Sequence, residues 1–140
     1  MKNLISCAAA LACLFISGCS DGTVTTDEVL GSCNLISGTY SGSYVDTSCR
    51  GDHNSGSISS FTISDGCSAQ IQGFIIAANG SITNIDAEGK AFDVRAESPP
   101  GSTCGGLSGH CTQTSASPVS YDCSYSWDQG GGGSIHVVRH

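Results

Sequence analysis

Residues 119–127 alternate without a break: Val119, Tyr121, Cys123, Tyr125 and Trp127 fall on one side of an extended chain, and Ser120, Asp122, Ser124 and Ser126 on the other. Period-two alternation belongs to a strand with one buried and one solvated face, because successive side chains point to opposite sides. Residues 91–97 repeat it, with Phe92, Val94 and Ala96 inward and Asp93, Arg95 and Glu97 outward. In 39–46 Tyr40 and Tyr44 share a face, and in 57–64 the slip from Ile58 to Phe61 predicts a bulge near Ser59. The apolar run 68–77, containing Ile71, Phe74, Ile75 and Ile76, predicts a further strand. It is expected to end in a hairpin turn at Asn79-Gly80, since both residues tolerate positive φ. Segments 81–86, 111–116 and 134–139 bring the total to about eight short strands, with turns at 87–90, Pro118 and 130–133 and a loop over 98–110. The expected fold is all-β: one small antiparallel meander, barrel or sandwich.

Ahead of this domain the chain reads Met1-Lys2-Asn3, a mostly apolar stretch 4–15, then Ile16-Ser17-Gly18-Cys19. A basic start, a short apolar core and small residues before a cleavage point form a secretory signal. A retained spanning helix would need about 20 apolar residues. Ile16-Ser17-Gly18-Cys19 resembles the lipobox of bacterial lipoproteins. That resemblance implies that Cys19 is acylated, with palmitate among its three chains, and that residues 1–18 are removed. The lipid membrane is then a partner through Cys19, and two acyl chains already suffice for stable anchoring. Ser20 rather than Asp follows the cysteine, which by the same resemblance implies the outer membrane of the bacterial envelope. Residues 19–32 are small and polar and are expected to form a lipidated flexible tether of about 20 Å, leaving 33–140 as the β-domain. The Gly38-x-Tyr40-x-Gly42 opening resembles that of lipocalin-like and other small bacterial barrels, which bears on the fold alone.

Cys7 and Cys13 leave with the signal and Cys19 is taken by lipid, so Cys33, Cys49, Cys67, Cys104, Cys111 and Cys123 remain. An even number of cysteines in a small exported domain predicts disulfides, and the absence of any Cys-x-x-Cys argues against zinc. In a meander, strand ends alternate between two rims. That puts Cys33 and Cys67 on one rim, Cys49, Cys104 and Cys111 on or near the other, and Cys123 inward. The expected pairs are Cys33 with Cys67, Cys104 with Cys111, and Cys49 with Cys123. The rival arrangement joins Cys49 to Cys104 and Cys111 to Cys123.

After residue 18 the chain has four basic residues, Arg50, Lys90, Arg95 and Arg139, against twelve acidic ones, a net charge of −8. Nucleic-acid binding needs concentrated positive charge to neutralise phosphates, and these four are scattered. Nucleic acid is therefore excluded as a partner. The surplus of acid is accounted for by solubility.

The meander gathers loops 46–55, 98–110 and 128–133 at one rim, which brings Asp46, Asp52, His53, His110 and Asp128 into range as a candidate ligand or metal rim. His136 and His140 are four apart, too far along a strand to chelate one ion. Gly106-Leu107-Ser108-Gly109-His110 lacks the final glycine and the following helix of a nucleophile elbow. Asp86-Ala87-Glu88-Gly89 has neither the length nor the ligand series of a calcium loop. Tyr125 and Trp127 belong to an apolar face and are expected in the core rather than stacked on a sugar. No catalytic constellation and no cofactor motif emerges. The expectation is a non-enzymatic, membrane-anchored envelope lipoprotein that binds an envelope protein, another envelope component or a small ligand. The alternatives are a structural or assembly accessory of an envelope complex, and a metal-dependent enzyme using the acid and histidine rim.

Overall fold

A computed structural model describes residues 33–73, 77–98 and 101–140. The signal, Cys19, the tether, and Phe74, Ile75 and Ile76 lie outside the described residues. Eight antiparallel strands follow in chain order: β1 (Gly38–Thr47), β2 (His53–Ile63), β3 (Ser68–Gln72), β4 (Ala78–Thr83), β5 (Ala91–Ala96), β6 (Leu107–Ala116), β7 (Val119–Trp127) and β8 (Gly132–Arg139). Each pairs with the next and β8 pairs with β1, so the sheet closes into a barrel. Closure removes the free edges that an open sheet of these strands would expose.

The interior of an eight-stranded barrel is just wide enough for side chains to fill, and here they fill it in layers. At one end Tyr40, Phe61, Phe92 and Tyr121 pack together, with Phe92 and Tyr121 edge-to-face at 5.0 Å and Tyr40 and Tyr121 at 5.9 Å. Their two phenols are satisfied by carbonyls: Tyr40 donates to Ile36 O and Tyr121 to Gly89 O, both at 2.6 Å. A single helical turn over 33–36 plugs this end, with Cys33 and Ile36 fully buried and Cys33 bridged to Cys67. Burial holds the Tyr121 phenol up at about 12. The middle layer is the Cys111–Cys123 disulfide, joining directly opposed residues of the neighbouring strands β6 and β7 on the inner face. The third bridge, Cys49–Cys104, ties two loops at the far end.

The expected bulge is present. Tyr40 faces Phe61 and Gly42 faces Ile58, so Ser59 and Ser60 together oppose Ser41 alone. A second one sits at Thr114 of β6, where Gln113 faces Tyr121 and Ser115 faces Ser120. Ser120, expected outside, is buried there and bonds Thr114 at 2.9 Å.

Three expectations are corrected. Asn79 and Gly80 lie within β4, which begins at Ala78, and pair with Gln70 and Ala69 of β3. Gly80 serves a close approach rather than a turn, since a Cβ there would lie 2.3 Å from Arg95 O of β5. β6 begins at Leu107, not near Cys111, because Leu107 and Cys111 are both fully buried and continue one inward face. With Cys111 inside the barrel, the pairings of Cys104 with Cys111 and Cys49 with Cys123 give way to Cys49–Cys104 and Cys111–Cys123.

Candidate functional site

Counting along the inner face of β1 from Tyr40 gives Gly42, Tyr44 and then Asp46, the last residue but one of the strand. Asp46 is therefore not part of a loop. It stands inside the barrel, 1% exposed. Its Oδ1 accepts two hydrogen bonds, from Tyr125 Oη at 2.6 Å and from Trp127 Nε1 at 2.8 Å. The two rings meet edge-to-face at 5.8 Å.

What lets Tyr125 reach Asp46 is a missing side chain. Gly133 of β8 lies between the strands, opposite Asp46 on one side and Tyr125 on the other. A Cβ on Gly133 would come within 2.9 Å of Tyr125 Oη. The tyrosine thus crosses over an empty backbone position to a strand that is not its neighbour. Burial, then the hydrogen bond and charge of Asp46, push the Tyr125 phenol far above its ordinary range.

The second carboxylate oxygen is different. Asp46 Oδ2 is shielded from solvent and has no hydrogen-bond partner. Buried polar atoms are paired in the great majority of cases, and an unpaired one, above all on a charge, is costly. Asp46 also lines a cavity of about 200 Å³ at the barrel mouth, with Ser48, Asn54, Gly101, Ser102, Thr103, Cys104 and Trp127. Asn54 is there by register, directly opposite Asp46 on β2. Ser48 begins the turn after β1, held by Ser48 N–Asp52 O and Gly51 N–Ser48 O bonds of 2.8 and 2.9 Å. The 101–104 loop is fastened over the mouth by the Cys49–Cys104 bridge, and Cys49 N also donates to Cys104 Sγ at 3.2 Å. The lining combines hydroxyls, an amide, one aromatic ring and one carboxylate. None of these residues is basic.

The other residues of the expected rim do not converge on Asp46. Asp52 closes its own turn, its N–H donating to Ser48 Oγ at 3.1 Å and its carboxylate accepting from the same hydroxyl at 3.4 Å. His53 pairs across the sheet with Thr47, Nδ1 to Oγ1 at 3.0 Å. Asp128 is engaged by Arg95 through two bonds of 2.6 and 2.8 Å and accepts from Gly106 N at 2.9 Å. The Arg95 guanidinium thereby holds the Asp128 carboxyl below the usual carboxylate range.

His110 is not on the rim. It stands on the outer wall of β6, its Nδ1 2.6 Å from Asp93 Oδ1. The hydrogen bond from Asn84, then that with His110, lowers the Asp93 carboxyl. His136 repeats the arrangement with Asp122 at 2.5 Å. Register places Ser124 beside His110 and Ser43 beside His136, but neither imidazole hydrogen-bonds its serine, and both pairs lie on exposed wall. These are cross-strand polar pairs of the solvated face. Among the described residues no three His, Cys, Asp or Glu side chains group as metal ligands would.

Tyr125 and Trp127 as partners of Asp46, and Ser48, Asn54, Ser102 and Thr103 as lining, are absent from the sequence reading. No family model matches the chain, and neither a curated protein nor a solved structure matches it.

Proposed function

We propose that the protein is a lipid-anchored envelope lipoprotein whose barrel acts by binding a small ligand at its mouth. The observation that carries the binding half is Asp46: a buried carboxylate near the mouth of the barrel, with one oxygen unpartnered, in a residue that also lines a cavity of about 200 Å³. Fold stability does not call for a charge in that position, since an apolar side chain would fill the space at lower desolvation cost.

The anchoring half rests on Ile16-Ser17-Gly18-Cys19. The domain's first described residue, Cys33, is bridged into the plugged end.

A thermal-shift screen of the intact, oxidised chain in detergent against amines, sugars, carboxylates and divalent cations tests the binding half. A ligand at a hundred times its Kd contributes about 2.7 kcal/mol, which raises the melting temperature of a domain this size by several degrees. Saturable stabilisation by one class supports the reading, and a flat response to all four sinks it. Metabolic labelling with palmitate tests the anchor: incorporation should vanish in Cys19→Ser.

A further inference from the structure

We propose that the mouth cavity selects a small organic ammonium ion, whose charge is answered by the Asp46 carboxylate. This names the ligand class of the site proposed above and rests on that reading. The argument starts from what the cavity has and lacks. It has one carboxylate with an empty acceptor oxygen, and among its described lining residues there is no Lys, Arg or His to answer it. The ion must come from outside.

The remaining lining suits an ammonium group. The hydroxyl of Thr103, the remaining lone pair of the Ser102 hydroxyl and the carbonyl of Asn54 offer acceptors to the N–H groups that Asp46 does not take. Trp127 supplies an aromatic ring, the preferred neutral neighbour of an organic cation. A metal ion fits less well, because hard divalent cations want about six or more oxygens with several charges among them, and the site holds a single carboxylate. The volume sets the size. Drug-sized ligands occupy about 300–1,000 Å³, so about 200 Å³ limits the guest to the scale of ethanolamine, a short diamine or the end of a longer amine. The acidic balance of the chain draws cations toward such a mouth.

The site carries its own reporter, since Trp127 is the single tryptophan of the chain and donates to Asp46. The full chain, purified in detergent with its disulfides oxidised, would be titrated with ethanolamine and putrescine while Trp127 emission is followed. Ethylene glycol and butanediol serve as neutral counterparts, and glucose and calcium as rival classes. The amines should give saturable changes that the diols do not. Asp46→Asn, which keeps the acceptor for Tyr125 and Trp127, should weaken them about tenfold or more by removing a charge-assisted bond. Thr103→Arg, on the exposed loop, should also block them by placing a cation at the mouth while leaving Asp46 intact. Amine binding that survives both variants overturns the inference. So does saturable binding of glucose or calcium in place of the amines, which would leave the mouth as a binding site of another class. No response to any probe overturns the inference and the ligand site together.

Discussion

If Asp46 organises the open end of the barrel, replacing it should separate hydrogen bonding from charge. Asp46→Ala removes the one acceptor shared by Tyr125 Oη and Trp127 Nε1. Hydrogen bonds to a charged group contribute about 1.5–3 kcal/mol each, so two of them sum to about 3–6 kcal/mol. Because both end on the same oxygen they are not independent, and the lower bound of about 3 kcal/mol is the expected loss. Asp46→Asn is the contrasting change. Its amide oxygen still accepts from both rings, the bonds weaken to neutral strength, and the unpartnered anionic oxygen is replaced by an NH2 group. The weakened bonds and the relieved burial of charge oppose each other, so the net change should stay within about 1 kcal/mol. At roughly 4 °C per kcal/mol for a domain of this size, the alanine variant should melt about 12 °C below the parent and the asparagine variant within about 4 °C of it. Calorimetry of the oxidised chain measures both. An alanine variant as stable as the parent would refute the role of Asp46 as shared acceptor. An asparagine variant as unstable as alanine would show that the charge, not the acceptor, holds the two rings.

Two further outcomes follow from burial. Tyr121 is pushed up to about 12, and Tyr40 and Tyr125 are also raised, chiefly by desolvation. A phenol whose folded pKa lies above its unfolded value of about 10 lends stability that is complete below pH 10 and is lost as pH rises through the folded value. Tyrosinate absorbance in a pH titration should therefore stay low for these three until the barrel unfolds in strong alkali. Their ionisation near pH 10 in a still-folded chain would contradict it. Reduction should be ordered by exposure: Cys49 and Cys104 are half-buried, whereas Cys33, Cys67, Cys111 and Cys123 are buried. Under mild reductant without denaturant, alkylation mapped by mass spectrometry should mark Cys49 and Cys104 first, and early labelling of Cys111 would count against the interior bridge.

The strands were legible because alternation is a local property that closure only confirms. The face read for 119–127 is the buried face of β7 apart from Ser120, and the slip at Ile58 and Phe61 is the bulge that shifts β2 against β1. Rim parity also found Cys33 with Cys67. It failed for the other four cysteines because Leu107-Ser108-Gly109 has the composition of a loop but the geometry of a strand, which carries Cys111 off the rim and inside. Asn79-Gly80 misled in the opposite sense, a turn dipeptide whose glycine is required by the nearness of β5.

Asp46 could have been placed inside by counting from Tyr40, yet a polar residue at the end of an alternating run looks like the start of a loop. Its partners could not have been found that way. Tyr125 and Trp127 lie some eighty residues further along, on β7, and reach β1 only because β8 closes the barrel and offers Gly133 at the crossing. The two ends of the barrel then differ in kind. At the plugged end the two buried phenols, Tyr40 and Tyr121, finish on backbone carbonyls, and a helical turn and a disulfide close the opening. At the mouth the polar accounting stops one bond short, at Asp46 Oδ2. On the proposed reading, the ligand stands where none of the described residues offers Asp46 Oδ2 a donor.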